Sequence, residues 1–201
     1  MLEHVPAWLG RALKNRRAGA DKLVVAQPGM AAEAQITLTS PAFGDGARLP
    51  VRFTDDGEGV SPPLTWTGAP EGARLALIVE DPDAPTGQPM VHAVVSELEG
   101  ASGRIEEGGI VPDAPEGEVG RNSQFKRGWL PPDPPTGHGE HRYVFQLFAL
   151  GPDAPDAGER PGRGDLVEAL RGHVVASGVL IGTYSRGEPA VAGPAGAPVP
   201  A

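Results

Sequence analysis

Asp81, Asp83, His92, His138 and His141 are the residues of this 201-residue chain whose types and spacing could do chemistry together. Asp81-Pro-Asp-Ala-Pro85 sets two carboxylates two residues apart, directly after the apolar run Leu75–Val79. Taken alone, the stretch reads as a tight surface turn or as the mouth of a pocket. His92 lies inside Val91-His-Ala-Val-Val95, and His138 and His141 flank Gly139-Glu140. If those segments are neighbouring strands, two imidazoles and a carboxylate converge near their ends. With zinc or a similar ion, His92, His138, His141 and Asp81 would supply the ligands of a metal-dependent hydrolase. Without metal, imidazole N–H groups would hold an anion and Asp81 would fix one ring's tautomer. Other chemistries lack their parts. There is no Gly-x-Ser-x-Gly elbow, and Ser96 and Ser123 have no activating neighbours. A phosphate loop and a dinucleotide fingerprint are also missing.

The elements that must position these residues are mostly strands. Ile36–Leu38 and Leu49–Phe53 alternate, and Pro50 marks the second as an edge strand. Leu75–Val79 and Val91–Val95 are continuous apolar runs. Arg142–Leu150, rich in aromatic and branched residues, is the strongest strand signal. The spacing of Leu166, Val167, Leu170 and Val174 predicts a helix, with Asp165 as its N-cap and Glu168 completing a capping box. Val179–Tyr184 closes the series as a last strand, after a stop at Gly178. Residues 99–140 read as mostly loop, and Asp55–Gly59 as a plain turn that lacks calcium-loop spacing. The class is mainly β, with one or two short helices and long loops.

Three segments follow from composition. Residues 1–33 form an amphipathic arm and a linker, with Val5, Trp8, Leu9, Ala12 and Leu13 at helical spacing over 5–17. That helix could serve a membrane surface or a partner; packing on its own domain or on a second subunit is the simpler reading. Residues 34–186 are the domain, and 187–201, rich in Pro, Gly and Ala, read as a disordered tail. Residues 1–22 carry a net charge of +3, which leaves −12 on the rest. So acidic a body repels nucleic acid. With no Cys, no membrane-length apolar run and no signal-peptide block, the expected location is the cytoplasm.

Ser61-Pro-Pro-Leu-Thr-Trp66, Asp81-Pro-Asp-Ala-Pro85, His92 within a strand and Gly139-Glu-His-Arg-Tyr143, in this order, resemble the phosphatidylethanolamine-binding protein family, and in particular its bacterial Raf-kinase-inhibitor-like branch. The resemblance spans about residues 34–186. It implies a β-sandwich-like Greek-key fold with a large central sheet and a pocket for phosphate-like anions or phospholipid head groups. Carried over, it makes Asp81, His92, His141 and Tyr143 ligand-binding, with Trp129 as an aromatic wall and Asp83 and Arg142 as pocket support. The pattern departs from many relatives at Met90, where they carry an aromatic, and at Pro131 and Asp133, where small residues are common. The resemblance thus implies a non-catalytic binding protein with a regulatory or scaffolding role and no cofactor. Resemblance to bacterial members suggests a homodimer; no interface or protein partner is readable from the residues.

Overall fold

The structure, a computed structural model, describes residues 7–115 and 117–187. The tail expected over 187–201 therefore lies, beyond Gly187, outside the described residues, as do His4 and Val5. Among the described residues, α1 (Ala7–Leu13) opens the chain. It is followed by β1 (Ala34–Gln35), β2 (Thr37–Thr39), β3 (Ala47–Arg48), β4 (Leu64–Thr67), β5 (Arg74–Asp81), β6 (Met90–Leu98), β7 (Gly103–Ile105), β8 (Glu118–Val119) and β9 (His141–Leu150). The chain then forms α2 (Arg163–Leu170) and β10 (Val174–Tyr184).

The large sheet runs β1-β10-β9-β5-β6-β8, with β3 also beside β10; β2, β4 and β7 form a second, small sheet. Within the large sheet β5, β6, β8 and β9 stand in the spatial order β9-β5-β6-β8, all antiparallel. The last of these four returns beside the first, which is the Greek-key path.

Alternation along the strands separates two cores. Leu75, Leu77 and Val79 of β5, with Tyr143, Phe145, Leu147 and Ala149 of β9, face the small sheet and its Leu38, Leu64, Trp66 and Ile105. Ala76 and Ile78, with Phe148 and Leu150, face the opposite way, onto Leu166, Val167 and Leu170 of α2 and onto Val24 and Met30. Strands buried on both faces read as unbroken apolar runs, which is why β5 and β9 are so plain in the sequence.

The structure differs from the sequence reading in four places. Residues 49–53 are no strand. Leu49 donates to Thr183 O, and Val51–Phe53 then close a 3-10 turn that buries Phe53. The alternation there comes from one turn hiding two side chains. Asp165 is not the N-cap of α2. Gly162 is, and Asp165 sits three positions on, where its carboxylate accepts from Gly162 N at 2.8 Å. The helix also stops at Leu170: Gly172, at φ 78°, turns the chain, and Val174 begins β10, with Gly178 inside the strand.

Finally, residues 18–33 do not behave as a linker. Ala18, Leu23, Val24 and Met30 are buried. Ala18 N donates to Ala84 O and Gly19 N to Pro82 O, both at 2.9 Å. Val24 N reaches the buried Glu80 carboxylate (2.9 Å) and Val25 N the Gln146 side chain (2.8 Å). Isolated anchors of this kind leave no periodic trace. Ahead of them α1 packs on its own domain through Gly10, where a Cβ would stand 2.1 Å from Thr136 O. Trp8 and Leu9 stay exposed.

Candidate functional site

Three strand ends bring the predicted residues together. Asp81 is the last residue of β5, His141 the first of β9, and Tyr143 follows on the same face. His92 arrives differently. Opposite β5, Val79 pairs with Ala93 and Glu80 with Val91, so His92 is the extra residue of a β-bulge. A bulge re-aims the side chain it carries. Strict alternation would have sent His92 to the α2 side; instead its ring stands edge-on to Tyr143, 5.0 Å between centroids.

The cleft they share is lined by Asp81, Ala84, Pro85, Met90, His92, Asp133, Pro134, Pro135, His141 and Tyr143. It offers about 20 Å³, room for one water and less than a phosphoryl group needs. One wall is Asp133–Pro135. Arg186, buried just past β10, ties that wall down by donating to the Asp133 carboxylate and to Pro134 O, while its Nε grips Asp56 at 2.8 and 2.9 Å.

His141 is fully engaged. Its Nδ1 meets Asp81 Oδ2 at 2.7 Å and its Nε2 meets His138 Nδ1 at 2.7 Å. His138 Nε2 in turn faces two carbonyls of the N-terminal segment, Leu13 O at 2.9 Å and Arg16 O at 3.2 Å. Carbonyls only accept, so His138 holds its proton on Nε2 and presents a lone pair at Nδ1. Burial, then the neighbouring His141, lower the His138 pKa and keep it neutral. His141 Nε2–H must therefore be the donor between the two rings. Three hydrogen bonds in series need three protons; two neutral rings bring two. The third lies between His141 Nδ1 and Asp81.

His92 has spent its N–H as well. Nδ1 lies 2.6 Å from Leu130 O, so Nδ1 carries the proton. Nε2 is then a bare lone pair, buried and without a partner. Burial lowers the His92 pKa, against the pull of Asp81, and favours this neutral form. The sequence led us to expect imidazole N–H donors toward a ligand. The structure corrects this: His141 gives both nitrogens to Asp81 and His138, and His92 turns an acceptor to the cleft. Tyr143 is the remaining side chain there with a proton to donate. Burial holds its phenol well above the usual pKa, so it stays an O–H.

The supporting residues lie just outside. Arg142 grips Asp83 with two 2.7 Å bonds, adds its backbone N at 2.9 Å, and Arg17 reaches the same carboxylate at 2.7 Å. Burial alone would raise the Asp83 pKa; the arginine hydrogen bonds outweigh it and bring it down to about 2, from 3.8. A depressed carboxyl pKa contributes stability above the unfolded value and loses it as pH falls through the folded one. Asp83→Asn is expected to cost about 2 kcal/mol at pH 7, with the gap to wild type closing between about pH 4 and pH 2. Urea unfolding at both pH values checks this; a gap that persists at pH 2 counts against it. Trp129 does not line the cleft. It donates to Phe53 O (3.1 Å), stacks on Phe145 and backs His92 at 6.0 Å.

Comparisons with known proteins place the chain in a family. The family model described as phosphatidylethanolamine-binding protein matches residues 39–185. The chain belongs to the phosphatidylethanolamine-binding protein family. A UPF0098 protein of Methanothermobacter thermautotrophicus is 43% identical over 157 residues, 76% of this chain and all of the relative. Two solved family structures are also similar. The homologue CT736 of Chlamydia trachomatis is 34% identical at TM-score 0.67, covering 77% of this chain and 99% of its own. YbcL of E. coli is 26% identical at TM-score 0.69, covering 76% and 99%. The matched residues stop short of the N-terminal segment whose carbonyls complete the His138 contact.

The sequence reading used His138 only as a fourth metal ligand. Its role as partner to His141 was missed, although the three-residue spacing of His138 and His141 across a glycine turn was visible. Among the described residues no three His, Asp or Glu side chains are grouped as a metal would need. His138 and His141 aim nitrogens at each other instead, which does not favour the metal-dependent hydrolase.

Proposed function

We propose that this family member is a non-catalytic protein that binds a small phosphate-bearing ligand, inorganic phosphate or a phosphorylated head group, in the Asp81–His92–His141–Tyr143 cleft. Its role would be regulatory or scaffolding. One observation carries the reading: His92 Nε2 is buried, has no partner, and lies in a cleft beside a carboxylate. Buried polar atoms are nearly always paired, so an unpaired one in a cleft marks the place of a missing partner. The family's name supports a phosphorylated ligand. The lining supports binding over turnover, for it includes no Ser, Thr or Cys to act as nucleophile. Entry requires the Asp133–Pro135 wall to swing outward. The acidic body speaks against a nucleic-acid partner. No helix of the described residues is long and apolar enough to cross a membrane; we place the protein in the cytoplasm as part of the same proposal.

Titration with inorganic phosphate or phosphorylethanolamine, followed by ¹⁵N histidine NMR, tests the reading. The His92 signals are expected to move most and those of His173, outside the cleft, to stay. Unmoved His92 signals at ~10 mM ligand, a concentration that detects even millimolar affinity, would reject it.

A further inference from the structure

We propose that the cleft takes phosphate as a proton-bearing species, so that each ligand bound at neutral or alkaline pH brings one extra proton into the site. The inference rests on the phosphate-binding reading above and narrows it to monoesters and free phosphate over diesters.

The argument is a count of donors. His141 points one nitrogen at Asp81 and the other at His138, which is held in place by Leu13 O and Arg16 O. His92 donates to Leu130 O and turns a lone pair inward. Asp81 Oδ1 already accepts from Asp83 N (2.7 Å) and Ala84 N (3.1 Å), so these backbone donors are spent too. The walls add Pro85, Pro134 and Pro135, which have no N–H at all. Among the strand side chains that line the cleft, what faces a ligand is one phenol donor, one imidazole lone pair and one carboxylate.

A phosphate dianion brings only acceptors and would set oxygen lone pairs against His92 Nε2. One proton resolves the clash. Either the ligand carries it, as the P–O–H of a monoanion donating to Nε2, or His92 takes it and donates through Nε2–H. The composition of the complex is the same in both cases: dianion, neutral ring and one proton. A free phosphomonoester loses its second proton near pH 6. Above that, binding must draw a proton from solution. A phosphodiester has no acidic proton to bring and depends wholly on protonating a buried ring. The charged and titratable groups facing His92 are Asp81 from β5, His141 and Tyr143 from β9, and Asp133 from the proline-rich wall. Asp81 favours the extra proton and His141 opposes it, while the Asp133 carboxylate is engaged by Arg186. The phenol stays neutral.

Calorimetric titration of the full chain at pH 8, in two buffers of different ionisation heat, reads the proton count directly. Phosphate and phosphorylethanolamine are expected to bind with uptake of about one proton, and their Kd to rise about tenfold per unit from pH 7 to 8.5. Glycerophosphocholine, a diester without N–H donors, is expected to bind at least about tenfold more weakly. Phosphate binding alone would indicate a free anion as the natural ligand; a clear preference for phosphorylethanolamine would indicate a soluble phosphomonoester that carries an amine. Either outcome supports the inference if the proton is taken up. His92→Gln places an amide N–H where the lone pair was, so its phosphate binding should show almost no proton uptake and a flat pH profile. Binding by wild type with no proton uptake overturns the inference and leaves the binding reading standing. So does an uptake that persists in His92→Gln. If neither calorimetry nor the histidine signals respond to any probe, the binding reading falls, and the inference with it.

Discussion

Arg163→Met is expected to destabilise the protein by about 3–5 kcal/mol. Arg163, the first residue of α2, donates through Nε to Glu80 at 2.6 Å and through Nη2 to Lys22 O at 2.6 Å. Glu80 is wholly buried beneath the helix, and its other oxygen accepts from Val24 N and Gln146 Nε2. Methionine fills much of the arginine's volume and removes its charge, which leaves a carboxylate in the core with amide donors alone. Removing one partner of a buried pair is costly because the survivor keeps its desolvation penalty. Pairing the change with Glu80→Gln removes that stranded charge and should recover more than half of the loss. Urea unfolding of the single and double variants checks both. A single-variant cost below about 1 kcal/mol would mean that the pair does not hold α2 and the N-terminal segment to the sheet.

Arg186→Gln should pull stability and affinity in opposite directions. The guanidinium holds Asp56 and the Asp133–Pro135 wall at once, and these two carboxylates raise its own pKa against the effect of burial. Because Asp56 and Asp133 are partly solvated, the expected loss is nearer 2–3 kcal/mol than the upper range for buried pairs. The cleft admits one water, so on the proposed reading a phosphate would see only the fraction of molecules whose wall stands open. Observed affinity scales with that fraction. A latch worth about 1.4 kcal/mol keeps the open fraction near one in ten, and its release would tighten phosphate binding about tenfold. Losing a cation beside an anion site works the other way, so a tighter Kd could not come from charge. Isothermal titration beside urea unfolding measures both signs. Weaker binding together with lower stability would show that Arg186 serves the ligand directly and does not hold the gate.

Much of the fold was legible because the large sheet is buried on both faces. Leu75–Val79 and Arg142–Leu150 announce themselves as apolar runs, and the resemblance carried by the Asp81–Pro85 and Gly139–Tyr143 motifs supplied the sandwich. What escaped was whatever depends on a contact and not on a period. Val24 and Met30 bury as single anchors. Leu49 and Phe53 mimic a strand by lying on two sides of one turn. Among the site residues, types and gathering were readable and directions were not. His92 faces the cleft because a bulge slips one residue, a one-residue event invisible to any alternation count. Whether His141 offers or withholds an N–H is decided by two carbonyls more than 120 residues earlier in the chain.

That last separation bears on the order in which the molecule is made. Residues 13–25 leave the ribosome ahead of their partners, which are Glu80–Ala84, His138–Glu140, Gln146 and Arg163. They can settle only after β9 and α2 have been synthesised, so a segment made before the large sheet finds its place after it. Long-range closures of this kind are slow. In a nascent chain the three-proton series from Asp81 through His141 to His138 therefore cannot form until β9 has been synthesised and the N-terminal segment has folded back onto it.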